Sequence, residues 1–148
     1  MKSRIFCLGT FITVFIFLVA CGHSSTITAD DVWKSLEKQG LEVAQITLAA
    51  AEQLASSQLV MNGVNPEPFE LTLPTADMAY CEFVFVYVFR SEQERIHFDE
   101  SDGSSTPIIF RNLHPNVSKK KNVIVIYWSN DKNNPLLMKQ FSNAMESL

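Results

Sequence analysis

The sequence predicts an α+β domain, a two-layer arrangement of helices packed on a mainly antiparallel sheet, behind an N-terminal export signal. Three observations carry that expectation. Two runs, Tyr80–Phe89 and Asn122–Trp128, are apolar on both faces, as central strands are. Three segments with helical periodicity, two of them with capping signals, flank these runs at the start, middle and end of the domain. The order of elements is helix, strand, a possible second helix, hairpin, helix, two strands, helix, which suits helices laid on one face of a sheet.

The first helix starts at Thr28-Ala29-Asp30-Asp31, a capping box with Asp in the place usually held by Glu or Gln. Val32, Trp33 and Leu36 share one face, Lys34, Glu37 and Lys38 mostly the other, and Gly40 ends the helix in a left-handed conformation. Leu41–Ile46 alternates for part of its length and suits a short strand. Thr47–Val60, rich in Ala, Leu and Gln, reads as a second helix that Ser56-Ser57 could equally end early. Asn62-Gly63 and Pro66-Glu67-Pro68 mark a turn and a loop. Phe69–Leu73 alternates like an edge strand, and Pro74–Asp77 turns the chain into Tyr80–Phe89. In that run Phe83, Phe85, Tyr87 and Phe89 point one way, and Val84, Val86 and Val88 the other.

Ser91-Glu92-Gln93-Glu94 is a second capping box and opens an acidic helix to about Asp99, with Ile96 and Phe98 on its apolar side. Ser101–Ser105 is a loop. Thr106–Asn112 contains Ile108-Ile109-Phe110, a strand that His114-Pro115 should break. Lys119-Lys120-Lys121 then leads into the second central strand. Asn130–Pro135 is a turn, and the closing helix, Leu136–Glu146, carries Leu137, Met138, Phe141 and Met145 on its apolar side.

Ahead of this domain, Lys2 and Arg4 precede an uncharged stretch, Ile5–Ala20, that is almost wholly apolar from Phe11 to Val19. A basic start, an apolar middle and a small residue at the end form a secretory signal, somewhat short for a membrane span of ~20 residues. The stretch ends in Leu18-Val19-Ala20-Cys21, which resembles the lipobox of bacterial lipoproteins at all four positions. The resemblance implies cleavage between Ala20 and Cys21 and a diacylglyceryl group on the Cys21 sulfur. Two acyl chains suffice for stable anchoring where one is marginal. Three regions follow: residues 1–20 as lipoprotein signal peptide, 21–27 as a short flexible tether, and 28–148 as a single domain. The implied address is the extracytoplasmic face of the cell membrane, with membrane lipid as the first partner, through acylated Cys21.

Charge and cysteine usage narrow the rest. The chain has 12 basic and 16 acidic residues, and loss of Lys2 and Arg4 with the signal takes the net charge from −4 to −6. An acidic module of this kind argues against general nucleic-acid binding. Of three cysteines, Cys7 leaves with the signal and Cys21 takes lipid, so Cys81 has no disulfide partner and reads as a core thiol. His23, His97 and His114 lack metal-ligand spacing, and no cofactor motif is present.

A second resemblance rests on Phe89-Arg90 followed by Ser91-Glu92-Gln93-Glu94-Arg95, on the lysine run before Asn122–Tyr127, and on Asn62-Gly63-Val64 before Pro66. Over roughly residues 60–130 the chain is similar to small lipoproteins of Gram-positive, bacillus-type bacteria. That family has no established activity, so the resemblance bears on fold and location and assigns no catalytic residue. Cys81-Glu82 departs from it by interrupting an otherwise aliphatic strand start.

Enzyme chemistry finds little support. His97 and Asp99, like Glu92 and Glu94, are two apart on a helix and face different ways, and the glutamates suit a helix N-terminus. The preferred reading is a non-enzymatic binding or accessory module with a protein or small-molecule partner. The alternatives are a small-molecule binder using an aromatic pocket of Phe83, Phe85 and Tyr87, and a membrane-associated enzyme. Core packing is the plainer account of that aromatic stripe. Arg111, Lys119, Lys120 and Lys121 form a basic segment. It serves either as a solvated strand lead-in or as a contact for anionic head groups.

Overall fold

The computed structural model describes residues 26–55, 57–73, 82–102 and 110–148. The signal region with Cys21, the Pro74–Asp77 turn, Tyr80, Cys81 and most of the strand expected at Thr106–Asn112 lie outside them. The elements in chain order are α1 (Ala29–Glu37), β1 (Glu42–Gln45), α2 (Leu48–Leu54), β2 (Glu67–Thr72), β3 (Glu82–Val88), α3 (Glu92–Asp102), β4 (His114–Lys120), β5 (Val123–Ser129) and α4 (Met138–Glu146). The strands form one sheet in the order β1-β2-β3-β5-β4, every neighbouring pair antiparallel. The fold is α+β, with four helices packed on the sheet.

Local signals account for most boundaries. The Thr28 hydroxyl accepts the Asp31 N–H at 3.2 Å, and Asp31 accepts the Thr28 N–H at 2.9 Å, so the capping box forms with Asp in the third position. The Thr28 hydroxyl, which donates to the same Asp31 oxygen at 2.7 Å, and next the Thr28 N–H hold the Asp31 carboxyl below the usual carboxylate range. Gly40, at φ +79°, turns the chain out of α1. Asn62 and Gly63, at φ 46° and 75°, make a tight reversal closed by the Met61–Val64 bridge. At α3 the Ser91 hydroxyl accepts the Glu94 N–H, and Glu94 accepts the Arg90 N–H.

Strands β3 and β5 are buried along nearly their whole length, and the alternation of their side chains divides the core in two. Val84 and Val86 of β3, with Val123, Val125 and Tyr127 of β5, face α1 and α4. Phe83, Phe85, Tyr87 and Phe89, with Ile124, Ile126 and Trp128, face α2, the segment Leu59–Val64, Phe98 of α3 and Phe110. Helices therefore lie on both faces rather than one. A strand apolar on both sides leaves no face that water can cover cheaply.

Four details differ from the sequence reading. β2 begins at Glu67 and lies between β1 and β3, so it is internal; β1 is the edge. The segment after Thr47 is helical only through Leu54. α3 runs on to Asp102, and α4 starts at Met138. His114-Pro115 opens a strand instead of breaking one. β4 pairs only with β5 among the described residues. A two-residue hairpin loop, Lys121-Asn122, makes Lys120–Val123 a hydrogen-bonded pair, and alternation then leaves Pro115 in a non-bonded pair with Trp128. The missing N–H of Pro115 thus falls on the outer edge, where it costs no ladder bond.

Candidate functional site

Two buried polar knots tie the ends of this sheet, and the residues singled out in the sequence distribute around them. The first knot lies at the β4–β5 hairpin tip. Asn122 is 1% exposed. Its side-chain oxygen accepts the Ile27 N–H at 2.7 Å, and its amide nitrogen donates to the Ile27 carbonyl at 2.9 Å and the Phe89 carbonyl at 3.1 Å. The Asn122 carbonyl accepts the Phe89 N–H at 2.9 Å. Hairpin tip, the end of β3 and the start of the domain are joined through one side chain. Ile27, inside the span expected to be tether, is a core residue.

The second knot lies at the opposite end of β3 and β5. Glu82 is 2% exposed and accepts hydrogen bonds from the Tyr127 hydroxyl, the Ser129 hydroxyl at 2.9 Å and the Asn130 N–H at 3.4 Å. The Tyr127 oxygen in turn accepts the Leu137 N–H at 2.9 Å. Burial, and next the bond to Glu82, push the Tyr127 phenol well above its ordinary range. Three donors converge on the buried Glu82 side chain, so its oxygens are satisfied by hydrogen bonds. The knot fixes the Asn130–Leu137 connection into α4. Asp131 tightens that connection by accepting the Asn133 and Asn134 N–H groups, which hold its carboxyl below the usual range.

Phe83, Phe85 and Tyr87, the residues expected to line an aromatic pocket, are buried in the core. Their exposures are 4%, 0% and 0%. Phe110 meets Phe83 and Phe85 edge to face, with ring centres 5.1 and 4.7 Å away, and the Tyr87 hydroxyl donates to the Leu59 carbonyl at 2.8 Å. None of the described pockets includes any of the three. The stripe is core because the chain from α2 to Val64, together with Phe110, lies over it. No local pattern in β3 could signal that cover. Trp128 packs in the same cluster, and its buried indole N–H has no hydrogen-bond partner among the described residues.

The four basic residues do not share a surface. Lys119 and Lys120 point to opposite faces of β4. The Lys119 ammonium meets Asp99 at 2.7 Å, within a cluster that also joins Arg95 to Asp99 and lets Arg95 donate to the Lys121 carbonyl. Lys120 donates to the carbonyls of Met145 and Glu146 at 2.9 and 2.8 Å, neutralising the negative end of α4. Lys121 sits in the hairpin loop at φ 46°. Arg111, exposed at φ 52°, lies beyond the other end of β4, about 20 Å away for a strand of this length. Cys21 is outside the described residues.

Beside the first knot, Lys34, Lys38 and Lys121 line a cleft of about 350 Å³ together with Thr26 and Ser147. A second groove, about 590 Å³, runs between β4 and α4 over Met138, Phe141 and Met145. Among the described residues no group of His, Cys, Asp and Glu is placed to hold a metal ion, and no helix is long and apolar enough to cross a membrane. No protein-family model, curated protein or solved structure matches the chain.

Proposed function

We propose that the chain is a lipoprotein anchored at the extracytoplasmic face of the cell membrane through acylated Cys21, and that its folded part is a non-enzymatic binding or accessory module. The observation that carries this reading is Leu18-Val19-Ala20-Cys21 closing a basic-then-apolar signal, so few residues before Ile27 enters the core. The interior supports a module over a catalyst. Its two buried polar knots join backbone segments and strand ends, and the aromatic stripe is spent on packing. Partners beyond the lipid remain a protein or a small molecule met at the surface.

The test is metabolic labelling with a clickable fatty acid in a bacterial host that processes lipoproteins. Wild type should carry label in the membrane fraction. Cys21→Ser should carry none and accumulate as uncleaved precursor or in the medium. Equal labelling of both proteins would end the lipoprotein reading.

A further inference from the structure

We propose that the anchored domain stands on its hairpin–α1 end, and that the cleft beside Ile27 takes the phosphate of an anionic lipid head group. The proposal rests on anchoring at Cys21 and adds an orientation and a ligand class to it.

Reach is the first argument. The path from Cys21 to Ile27 covers six residues, at most about 20 Å when fully extended. A domain of roughly 120 residues has a radius of gyration of about 13–14 Å, hence a diameter well above that reach. The exit point is also fixed, because Asn122 grips Ile27 by both its N–H and its carbonyl. A short leash from a fixed point keeps the hairpin tip near the bilayer and the Glu82 end away from it.

Chemistry at the exit is the second. The cleft brings together the ammonium-bearing Lys34, Lys38 and Lys121 with the hydroxyl of Thr26, the donor types that bind phosphate oxygens, while the Ser147 hydroxyl at its wall is engaged with Ser35 and the Ala144 carbonyl. The acid that also lines it, Asp31, is engaged by the Thr28 N–H and hydroxyl. Lys34 is bonded to Asp30 at 2.6 Å, but both side chains are well exposed, so that pair exchanges readily for a phosphate. Of the residues expected from the sequence to make such a contact, Arg111, Lys119, Lys120 and Lys121, Lys119 and Lys120 are held by Asp99 and the end of α4. The basic surface at the membrane therefore comes largely from α1, joined by the hairpin loop.

The experiment uses the full lipidated protein, isotope-labelled, extracted from membranes and placed in nanodiscs, with the acyl group on Cys21 verified by intact mass. Nanodiscs doped with a head-group gadolinium lipid should broaden the amides of Lys38, Lys121 and Asn122 severalfold more than those of Asn130–Asn134. Replacing phosphatidylcholine by phosphatidylglycerol should shift Lys34, Lys38 and Lys121 signals. Lys38→Gln should raise the phosphatidylglycerol fraction needed by roughly five-fold, the effect of one lysine near an anionic surface. Lys132→Gln, at the far end, should change nothing. Equal broadening at both ends, or equal shifts in both lipids, would overturn the proposal while leaving the anchor intact. The same shifts produced by inorganic phosphate in phosphatidylcholine nanodiscs would assign the cleft to free phosphate and overturn the lipid. Absence of acyl mass on Cys21 would remove the anchor itself and this proposal with it.

Discussion

Asn122→Ala should detach the first residues of the domain rather than unfold it. The change removes one acceptor and two donor contacts and leaves the Ile27 N–H, the Ile27 carbonyl and the Phe89 carbonyl without partners. If all three stayed buried, at ~1–3 kcal/mol for each unsatisfied group, the cost would be roughly 3–9 kcal/mol. The chain has a cheaper route. Peeling residues 26 and 27 off the sheet lets water reach all three groups. It forfeits burial of the Ile27 side chain, ~1.5–3 kcal/mol, and the net worth of the three hydrogen bonds, ~0.5–1.5 kcal/mol each, and returns ~1–2 kcal/mol of backbone freedom for each residue released. Peeling wins, and the net loss should be about 2 kcal/mol.

Urea melts of the soluble chain starting after Cys21 would measure that loss, and amide exchange would locate it, with protection lost at Ile27 while the β3 and β5 amides keep theirs. Asn122→Asp adds a check on sign. It keeps an acceptor for the Ile27 N–H but sets a carboxylate against two carbonyl oxygens, which raises the folded pKa of the new carboxyl. Its deficit relative to wild type should therefore be largest at neutral pH and shrink as pH falls through that raised value. A loss below ~0.5 kcal/mol for the alanine variant, or unchanged protection at Ile27, would refute the reasoning.

Phe85→Ala should cost ~3–5 kcal/mol, because Phe85 is fully buried with Phe110 at 4.7 Å and Trp128 at 6.0 Å, whereas Val84→Ala should cost less; a Phe85→Ala change below ~1 kcal/mol in a denaturant melt would mean that the aromatic face is open. Burial raises the phenols of both Tyr87 and Tyr127, so their contribution to stability is complete below the unfolded value of ~10 and is lost as pH rises from there toward the higher folded values, by up to ~1.4 kcal/mol per pH unit for each. Tyr127→Phe should flatten that alkaline limb in melts between pH 9 and 12 and speed amide exchange of Leu137, whose N–H it leaves unpaired; an unchanged limb would argue against a buried phenol.

Periodicity made the middle of the sheet legible. Tyr80–Phe89 and Asn122–Trp128 read as central strands because apolar residues on both faces leave no side for water, and β3 and β5 occupy those places. Capping chemistry is local, so Thr28–Asp31 and Ser91–Glu94 marked their helices from a few residues. The edges were harder, because an edge strand needs only one satisfied side. His114–Lys120 alternates without being apolar, and its proline, a breaker in any central strand, is permitted where its missing N–H faces outward. The reading of Phe69–Leu73 as an edge failed for a related reason: its alternation reflects a sheet covered unevenly, and not a missing neighbour.

The polar knots were the least legible features, and the cause is physical. Burial of a polar side chain depends on what the distant chain brings to it: Asn122 meets Ile27 across 95 residues, and Glu82 meets Ser129 across 47. Sequence offered only a hint, the acid at Cys81-Glu82 at the head of an otherwise apolar strand. A buried carboxylate at such a place is affordable only where donors from other elements converge, which is what Tyr127, Ser129 and Asn130 supply. The same logic explains the lysines. Three in a row suggest one basic surface, but a strand sends neighbours to opposite faces. Lys119 therefore reaches α3 and Lys120 reaches α4, leaving only the loop residue Lys121 beside the lysines of α1.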